Sequence, residues 1–265
     1  RTAHGITLFC DDDRQSSELS QLVYHEALLV PALLLAKRID RVLIIGSSEG
    51  VASQLAIAAG AGHVDHVDID AEAVRLCARL LPYGYTESEL TDAIDGHDGG
   101  GRIRVRFVDG WEFVRHAVEA GQHYDVVLID LPDERPDDPR AQHNRLYRND
   151  FLAMCAELLT PGGVLGAQAG CPTMWRDATL RAAYRRFTDV FATTVYFGCA
   201  EHEWAFLFGR ADVVDDPATR MIERLPSLGY RPEFIDGPAI LGSTVPPLAL
   251  RTGAGVGPAA NLTPH

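Results

Sequence analysis

Acidic side chains stand at the ends of three apolar runs in this chain, and their placement is what could do chemistry. Val64 to Ile69 closes with Asp68 and Asp70, Ile103 to Val108 leads into Asp109, and Tyr124 to Ile129 ends at Asp130, with Asp133 shortly beyond. Ligands of open parallel sheets bind in the crevice at the carboxyl ends of the strands, so these acids are expected around one pocket. Glu49 joins them in a small-residue turn, Gly46–Ser47–Ser48–Glu49–Gly50. That turn is neither G-x-G-x-x-G nor Gly-Lys-Ser/Thr. A carboxylate without a lysine repels phosphate and attracts a cation. A ligand with an adenosine end and a positive end fits, which describes a sulfonium of the S-adenosylmethionine type. An ordinary tight turn with a solvated Glu49 is the other reading of the same residues.

The elements that must position these groups follow from periodicity. Arg41 to Ile45 is a β-branched apolar run, the pattern of a strand buried on both faces of a parallel sheet. A helix is expected over Val51–Ala59, a strand over Val64–Ile69 and a helix over Ala71–Leu81. Strand, glycine turn, helix and acid-ended strand make half of a nucleotide-binding α/β unit. Further on, strands are expected over Ile103–Val108 and Tyr124–Ile129, with a helix over Trp111–Ala120 between them and a loop over 83–101 before them. The charged, aperiodic stretch from Asp130 to Asn144 reads as a lid. A helix over Phe151–Leu159, a strand over Val164–Ala169, a helix over Trp175–Phe187 and an antiparallel pair, Thr193–Phe197 with Trp204–Phe208, complete the sheet. Upstream, Ile6–Cys10 reads as a short strand and Gln15–Gln21 as a polar segment. Leu22–Ala36 reads as an apolar helix broken or restarted at Pro31. Tyr24 and His25 inside that helix are read either as core-edge side chains or as site residues. From Val213 the chain is expected to form a helix-and-coil appendage, with a disordered tail from Arg251.

The chain has 265 residues, 46% of them hydrophobic, enough for one large α/β domain with small appendages. Its 37 acidic and 24 basic side chains give a formal charge of -13, which disfavours nucleic acid and anionic membrane surfaces, and which either draws in a cationic small molecule or serves solubility alone. Five scattered cysteines without a C-x-x-C pair read as reduced thiols of a cytoplasmic protein. No apolar run approaches the ~20 residues of a membrane span, and no signal peptide is visible. His63 and His66 would fall on opposite faces of a strand, so no metal is expected there.

Taken together the motifs resemble the spermidine synthase family of polyamine aminopropyltransferases, across roughly Leu8 to Leu250. Gly46–Ser47–Ser48–Glu49–Gly50 stands where the family has GGGDG, and Gln15 precedes Tyr24–His25–Glu26 at the family's spacing. Asp68, Val108–Asp109–Gly110, Asp130 with Asp133, Leu146–Tyr147, Pro161 to Leu165 and Gln168 follow in the family's order. The resemblance implies a doubly wound, mostly parallel, Rossmann-like α/β sheet of the methyltransferase type. It implies a reduced N-terminal segment (1–37), a catalytic domain (38–211), a C-terminal appendage (212–250) and a tail (251–265). By position, Asp68 would bind the ribose hydroxyls, Asp109 the adenine amino group, and Glu49 the aminopropyl ammonium of decarboxylated S-adenosylmethionine, with Gly46 in the turn and Gln15 lining the pocket. Asp130 would be the proton acceptor for the attacking amine and Tyr24 would orient that amine. Asp133 would hold the far ammonium of that amine, with His25 and Glu201 also on the substrate side. No metal is implied, and a homodimer is left open.

Four departures fall on the substrate side of the site, away from the adenosine-side acids. Glu49 is one methylene longer than the family's Asp, Cys199–Ala200–Glu201–His202 replaces Tyr-Pro-x-Gly, the loop after Asp133 is longer, and little of the N-terminal β-domain remains. They keep two alternatives in view, methyl transfer from intact S-adenosylmethionine and a catalytically inactive binding subunit. Repulsion between Glu49 and a cofactor carboxylate disfavours the first, and retention of Asp130 with Asp133 argues against the second.

Overall fold

The computed structural model describes residues 1–10, 13–95, 101–138, 140–173, 176–198, 201 and 203–252. In chain order the elements are β1 (Thr7–Cys10), β2 (Asp13–Ser17), α1 (Gln21–Leu35), β3 (Arg41–Gly46), α2 (Val51–Ala58), β4 (His63–Asp68), α3 (Ala71–Leu80) and α4 (Glu87–Asp95). Then follow β5 (Ile103–Phe107), α5 (Gly110–Glu119), β6 (Tyr124–Asp130), α6 (Asn149–Glu157), β7 (Leu159–Gln168), α7 (Ala178–Val190), β8 (Thr193–Gly198), β9 (Ala205–Arg210), α8 (Pro217–Arg224), α9 (Gly237–Ser243) and α10 (Leu248–Thr252).

The central sheet has seven strands in the order β5-β4-β3-β6-β7-β9-β8. The first five run parallel, and β9 is antiparallel to both β7 and β8. Chain order reverses at β3, whose neighbours are β4 on one side and β6 on the other, which opens the ligand crevice of a doubly wound sheet there. The register sets Gly46 opposite Asp130, so the glycine turn and the end of β6 share that opening. Val42, Leu43, Ile44 and Ile45 are buried, as their unbroken apolar run requires.

Five of the expected boundaries are corrected. Helix α1 runs unbroken through Pro31. Proline gives the Ala27 carbonyl no N–H and costs ~3 kcal/mol. Leu28, Leu29, Leu33, Leu34 and Leu35 are each at most 1% exposed in the same helix, and burying one leucine returns ~1.5–3 kcal/mol. The polar segment around Gln15 is a strand, because β2 pairs with β1 in an antiparallel hairpin. Within the expected loop over 83–101 lies helix α4, started by a capping box. Thr86 N–H donates to Glu89 Oε2 at 2.8 Å, and Glu89 N–H donates to Thr86 Oγ1 at 3.2 Å. Strand β7 begins at Leu159 and carries Pro161 in a bulge, where its register against β6 jumps from Tyr124↔Leu159 to Val126↔Val164. Arg251 and Thr252 end α10 rather than opening a tail. The readings at Trp175, at Cys199–Ala200, at His202 and from residue 253 onward lie outside the described residues.

Glu26, buried in α1, fastens the C-terminal appendage to the sheet layer. It accepts from Tyr230 Oη at 2.5 Å and from the backbone N–H groups of Glu233 and Phe234 at 2.8 Å each. Among the described residues, no helix is long and apolar enough to cross a membrane.

Candidate active site

The glycine turn is held in a conformation that few side chains would allow. Gly46, Ser47 and Gly50 have φ of 85°, 63° and 81°. A Cβ on Gly46 would lie 2.0 Å from the Asp130 carbonyl oxygen, so only glycine lets the turn meet the end of β6. Ser47 N–H donates to that carbonyl at 3.0 Å. From beneath, buried His66 braces the turn. Its Nε2 lies 2.7 Å from the Gly46 carbonyl, an acceptor only, so this nitrogen carries the proton and Nδ1 accepts from Tyr85 Oη at 2.9 Å. Burial holds His66 below its ordinary pKa, although the negative charges of Asp68 and Asp130 oppose the shift. His66 and Tyr85 were absent from the sequence reading of the site.

Around this turn the acids expected from sequence take different partners. Asp68, 6% exposed, accepts from Ser48 Oγ at 2.7 Å and from Asp70 N–H at 2.8 Å, which fixes its carboxylate at the end of β4. Asp70 itself caps α3 through the N–H groups of Glu72 and Ala73. Asp130 Oδ1 accepts from Tyr24 Oη at 2.6 Å. Tyr24 is pushed well above the usual phenol range, mainly by burial and then by the charges of Asp130 and Glu49, so it remains a proton donor to Asp130. Buried Tyr147 is raised in the same way, by burial and then by Asp133, Asp130 and Glu134. Its Oη donates to the Pro132 carbonyl at 2.5 Å and holds the start of the lid stretch.

Buried His25 lies 3.9 Å from Glu49, Nε2 to Oε2, beyond hydrogen-bonding distance. Its Nδ1 donates to the Gln21 carbonyl at 2.7 Å, and its buried Nε2 has no hydrogen-bond partner. In the neutral ring Nε2 and Glu49 are therefore both acceptors, and an ammonium group would satisfy them together.

Asp109 is more heavily engaged. It caps α5 through Trp111 and Glu112 N–H, pairs with Arg145, and accepts from Gln142 Nε2 at 3.2 Å. Arg145 and Gln142 belong to a 3-10 segment, Gln142–Tyr147, at the far end of the lid stretch. Asp133 accepts from buried Gln168 Nε2 at 2.6 Å, and Arg176 lies 3.7 Å from its other oxygen. The structure thus brings Gly46, Glu49, Asp68, Asp130, Tyr24 and His25 around the turn, with Asp133 just beyond β6 and bonded to Gln168 at the end of β7. Gln15 is exposed on β2, and no hydrogen bond joins it to the set among the described residues. Glu201 lines a different recess, a groove of about 790 Å³ against Tyr230, Glu233 and Phe234 of the appendage. Two apolar side chains at the strand ends escaped the sequence reading. Ile69 is 59% exposed beside Asp68 and Val108 is 42% exposed beside Asp109, a placement suited to a flat base. An apolar residue adjoining each strand-end acid was the available signal.

A model of the spermine/spermidine synthase domain matches residues 21–200. The chain belongs to the spermine/spermidine synthase family. Among its family relatives, a polyamine aminopropyltransferase of Pyrobaculum aerophilum is 29% identical over 242 residues, covering 88% of this chain and 78% of that protein. One from Prochlorococcus marinus is 28% identical, covering 77% of this chain and 67% of that protein. For polyamine aminopropyltransferase 1 of Hyperthermus butylicus the identity is 30%, over 73% of this chain and only 62% of the relative's length. A spermidine synthase solved in complex with the transition-state analogue AdoDATO shares the fold at a TM-score of 0.75 and 22% identity, over 92% of this chain and 79% of that one.

Proposed function

We propose that this spermine/spermidine synthase family member transfers an aminopropyl group from decarboxylated S-adenosylmethionine to a primary amine and releases methylthioadenosine. The observation that carries the reading is the 2.6 Å contact of Tyr24 with Asp130 at the switch point, beside a turn whose own acid is Glu49. It is supported by family membership and by relatives named for this transfer. The pocket's chemistry fits the donor. The unpartnered His25 Nε2 with Glu49 offers two acceptors to an ammonium.

The donor supplies an activated carbon, bonded to a sulfonium that leaves with the C–S electron pair as a neutral thioether. The residues of this chain then align the amine and remove a proton from it as the new C–N bond forms. Asp130 accepts that proton, a contribution of typically ~10²–10⁴-fold. Tyr24 holds the Asp130 carboxylate in one orientation, leaving Oδ2 for the nitrogen. Asp68 takes the ribose hydroxyls, Ile69 and Val108 flank the base, and Asp109 reads its amino group once Arg145 and Gln142 have moved off it. The net charge of -13 favours capture of a cationic donor.

Incubating the protein with the decarboxylated donor and a panel of amines should release methylthioadenosine. The absence of turnover with every amine at saturating donor would reject the proposal. Calorimetry comparing decarboxylated with intact S-adenosylmethionine separates it from methyl transfer, because tighter binding of the intact form would favour the latter.

A further inference from the structure

Asp133 is the acid expected to hold the far ammonium of an acceptor, yet a cation already stands against it. Arg176 Nη2 lies 3.7 Å from Asp133 Oδ2, while its Nη1 donates to Glu203 Oε2 at 3.3 Å. The guanidinium carbon is 5.5 Å from the centroid of the Trp204 ring, so it is placed by an aromatic face as well as by charge. The other oxygen of Asp133 accepts from Gln168 Nε2 at 2.6 Å, and Glu203 is met a second time by Arg14 at 3.5 Å. A guanidinium stays charged throughout the working pH range of a protein. Toward a second ammonium, Asp133 and Arg176 together are a neutral pair. An incoming cation must displace Arg176 or share the carboxylate with it against like-charge repulsion. A distal carboxylate fares no better, because Arg176 is flanked by Asp133 on one side and Glu203 on the other.

We propose that Arg176 sets acceptor choice, and that the acceptor class is a primary amine whose far end carries no charge. The inference rests on the aminopropyl-transfer reading and specifies its second substrate. Arg176 is 54% exposed at the side chain, so its replacement removes the charge without opening the core.

Two probes of equal length, 1,4-diaminobutane and butylamine, isolate the effect, because they differ in chain-end charge. Each is measured by methylthioadenosine release at saturating decarboxylated donor, and by calorimetric binding to the protein in the presence of methylthioadenosine. The wild type should discriminate between the two by less than about threefold in both readouts. Arg176→Gln should shift both ratios toward the diamine by about tenfold, the worth of a charge-assisted hydrogen bond to the Asp133 oxygen that Arg176 no longer faces. Arg176→Lys, which keeps the charge, should retain the wild-type ratio. A wild type that prefers the diamine tenfold or more, or ratios unmoved by Arg176→Gln, would overturn the assignment. If neither amine binds or reacts in either protein, aminopropyl transfer itself fails, and the selectivity proposal goes with it.

Discussion

The acids on the two sides of the crevice are built differently. Asp68 and Asp130, nearest the glycine turn, are held by neutral donors, Ser48 with a backbone N–H and Tyr24, while Glu49 beside them has buried His25 3.9 Å away, beyond hydrogen-bonding distance. The acids farther along the lid stretch and around β5 and α7 each have an arginine. Asp109 pairs with Arg145, Asp133 with Arg176, and Glu134 with Arg186 in two bonds of 2.8 and 2.9 Å. An acid held by neutral donors keeps its full negative charge available to a ligand, and one held by a guanidinium spends it on the fold. The inner set is therefore the part of the site suited to a sulfonium and an ammonium, and the outer set is suited to fixing loops.

Removing an inner charge should cost the most. Asp130→Asn should lower the turnover of any accepted amine by about 10²–10⁴-fold, with a smaller effect on donor binding, because the lost group acts on the proton. Methylthioadenosine release at saturating donor measures it, and a loss below tenfold would remove Asp130 from the proton-transfer step. Next in size, Glu49→Gln should weaken binding of decarboxylated S-adenosylmethionine by about tenfold, the scale of one charge-assisted hydrogen bond. Intact S-adenosylmethionine should lose less, because its carboxylate is relieved of repulsion by the same change. Equal losses for both ligands in a calorimetric titration would mean that Glu49 does not face the group by which they differ.

Much of the inner set is legible before any coordinates, and the outer pairs are not. Asp68 and Asp130 of the inner set, like the outer acid Asp109, announce themselves because β-branched runs mark strands and the residue at a strand's end lies at its carboxyl edge. The arginine partners carry no such mark. Arg145 and Asp109 are 36 residues apart, in a 3-10 segment and a helix cap that periodicity does not relate. His66 reads as an unremarkable strand residue until the sheet sets it under Gly46. Helix α4 was legible in principle from Thr86 and Glu89, but its glycine- and aspartate-rich surroundings point to a loop. The hairpin of β1 and β2 escaped because its second strand, DRQSS, has no apolar face to signal it.

An outer arginine gives a smaller effect of opposite sign. Arg145→Ala leaves Asp109 with its helix-cap bonds and Gln142, and so offers an acceptor to the adenine amino group without the cost of moving a guanidinium. Methylthioadenosine should bind about threefold more tightly, within the range of a partly exposed ion pair. Weaker binding would show that Arg145 itself holds the nucleoside, and the contrast between inner and outer acids would then fail at Asp109.

The brace under the glycine turn is read through pH and stability rather than through turnover or binding. Folding holds His66 below its ordinary value of 6.5, so between that value and the lowered one the unfolded chain binds more protons than the folded chain. Stability therefore rises with pH through this window, and it falls by at most about 1.4 kcal/mol per pH unit as the pH drops below the ordinary value. Arginine pairs do not titrate there, so the outer set contributes nothing to this slope. His66→Gln can still donate to the Gly46 carbonyl, but it has no proton to gain. The variant should be less stable near neutrality, for want of the Tyr85 contact in its native geometry, and its melting temperature should change less between pH 7 and about pH 5.5. Parallel curves for the two proteins would mean that the neutral state of His66 does not support the turn. The rigidity of the inner set would then have to come from Gly46 and Ser47 alone.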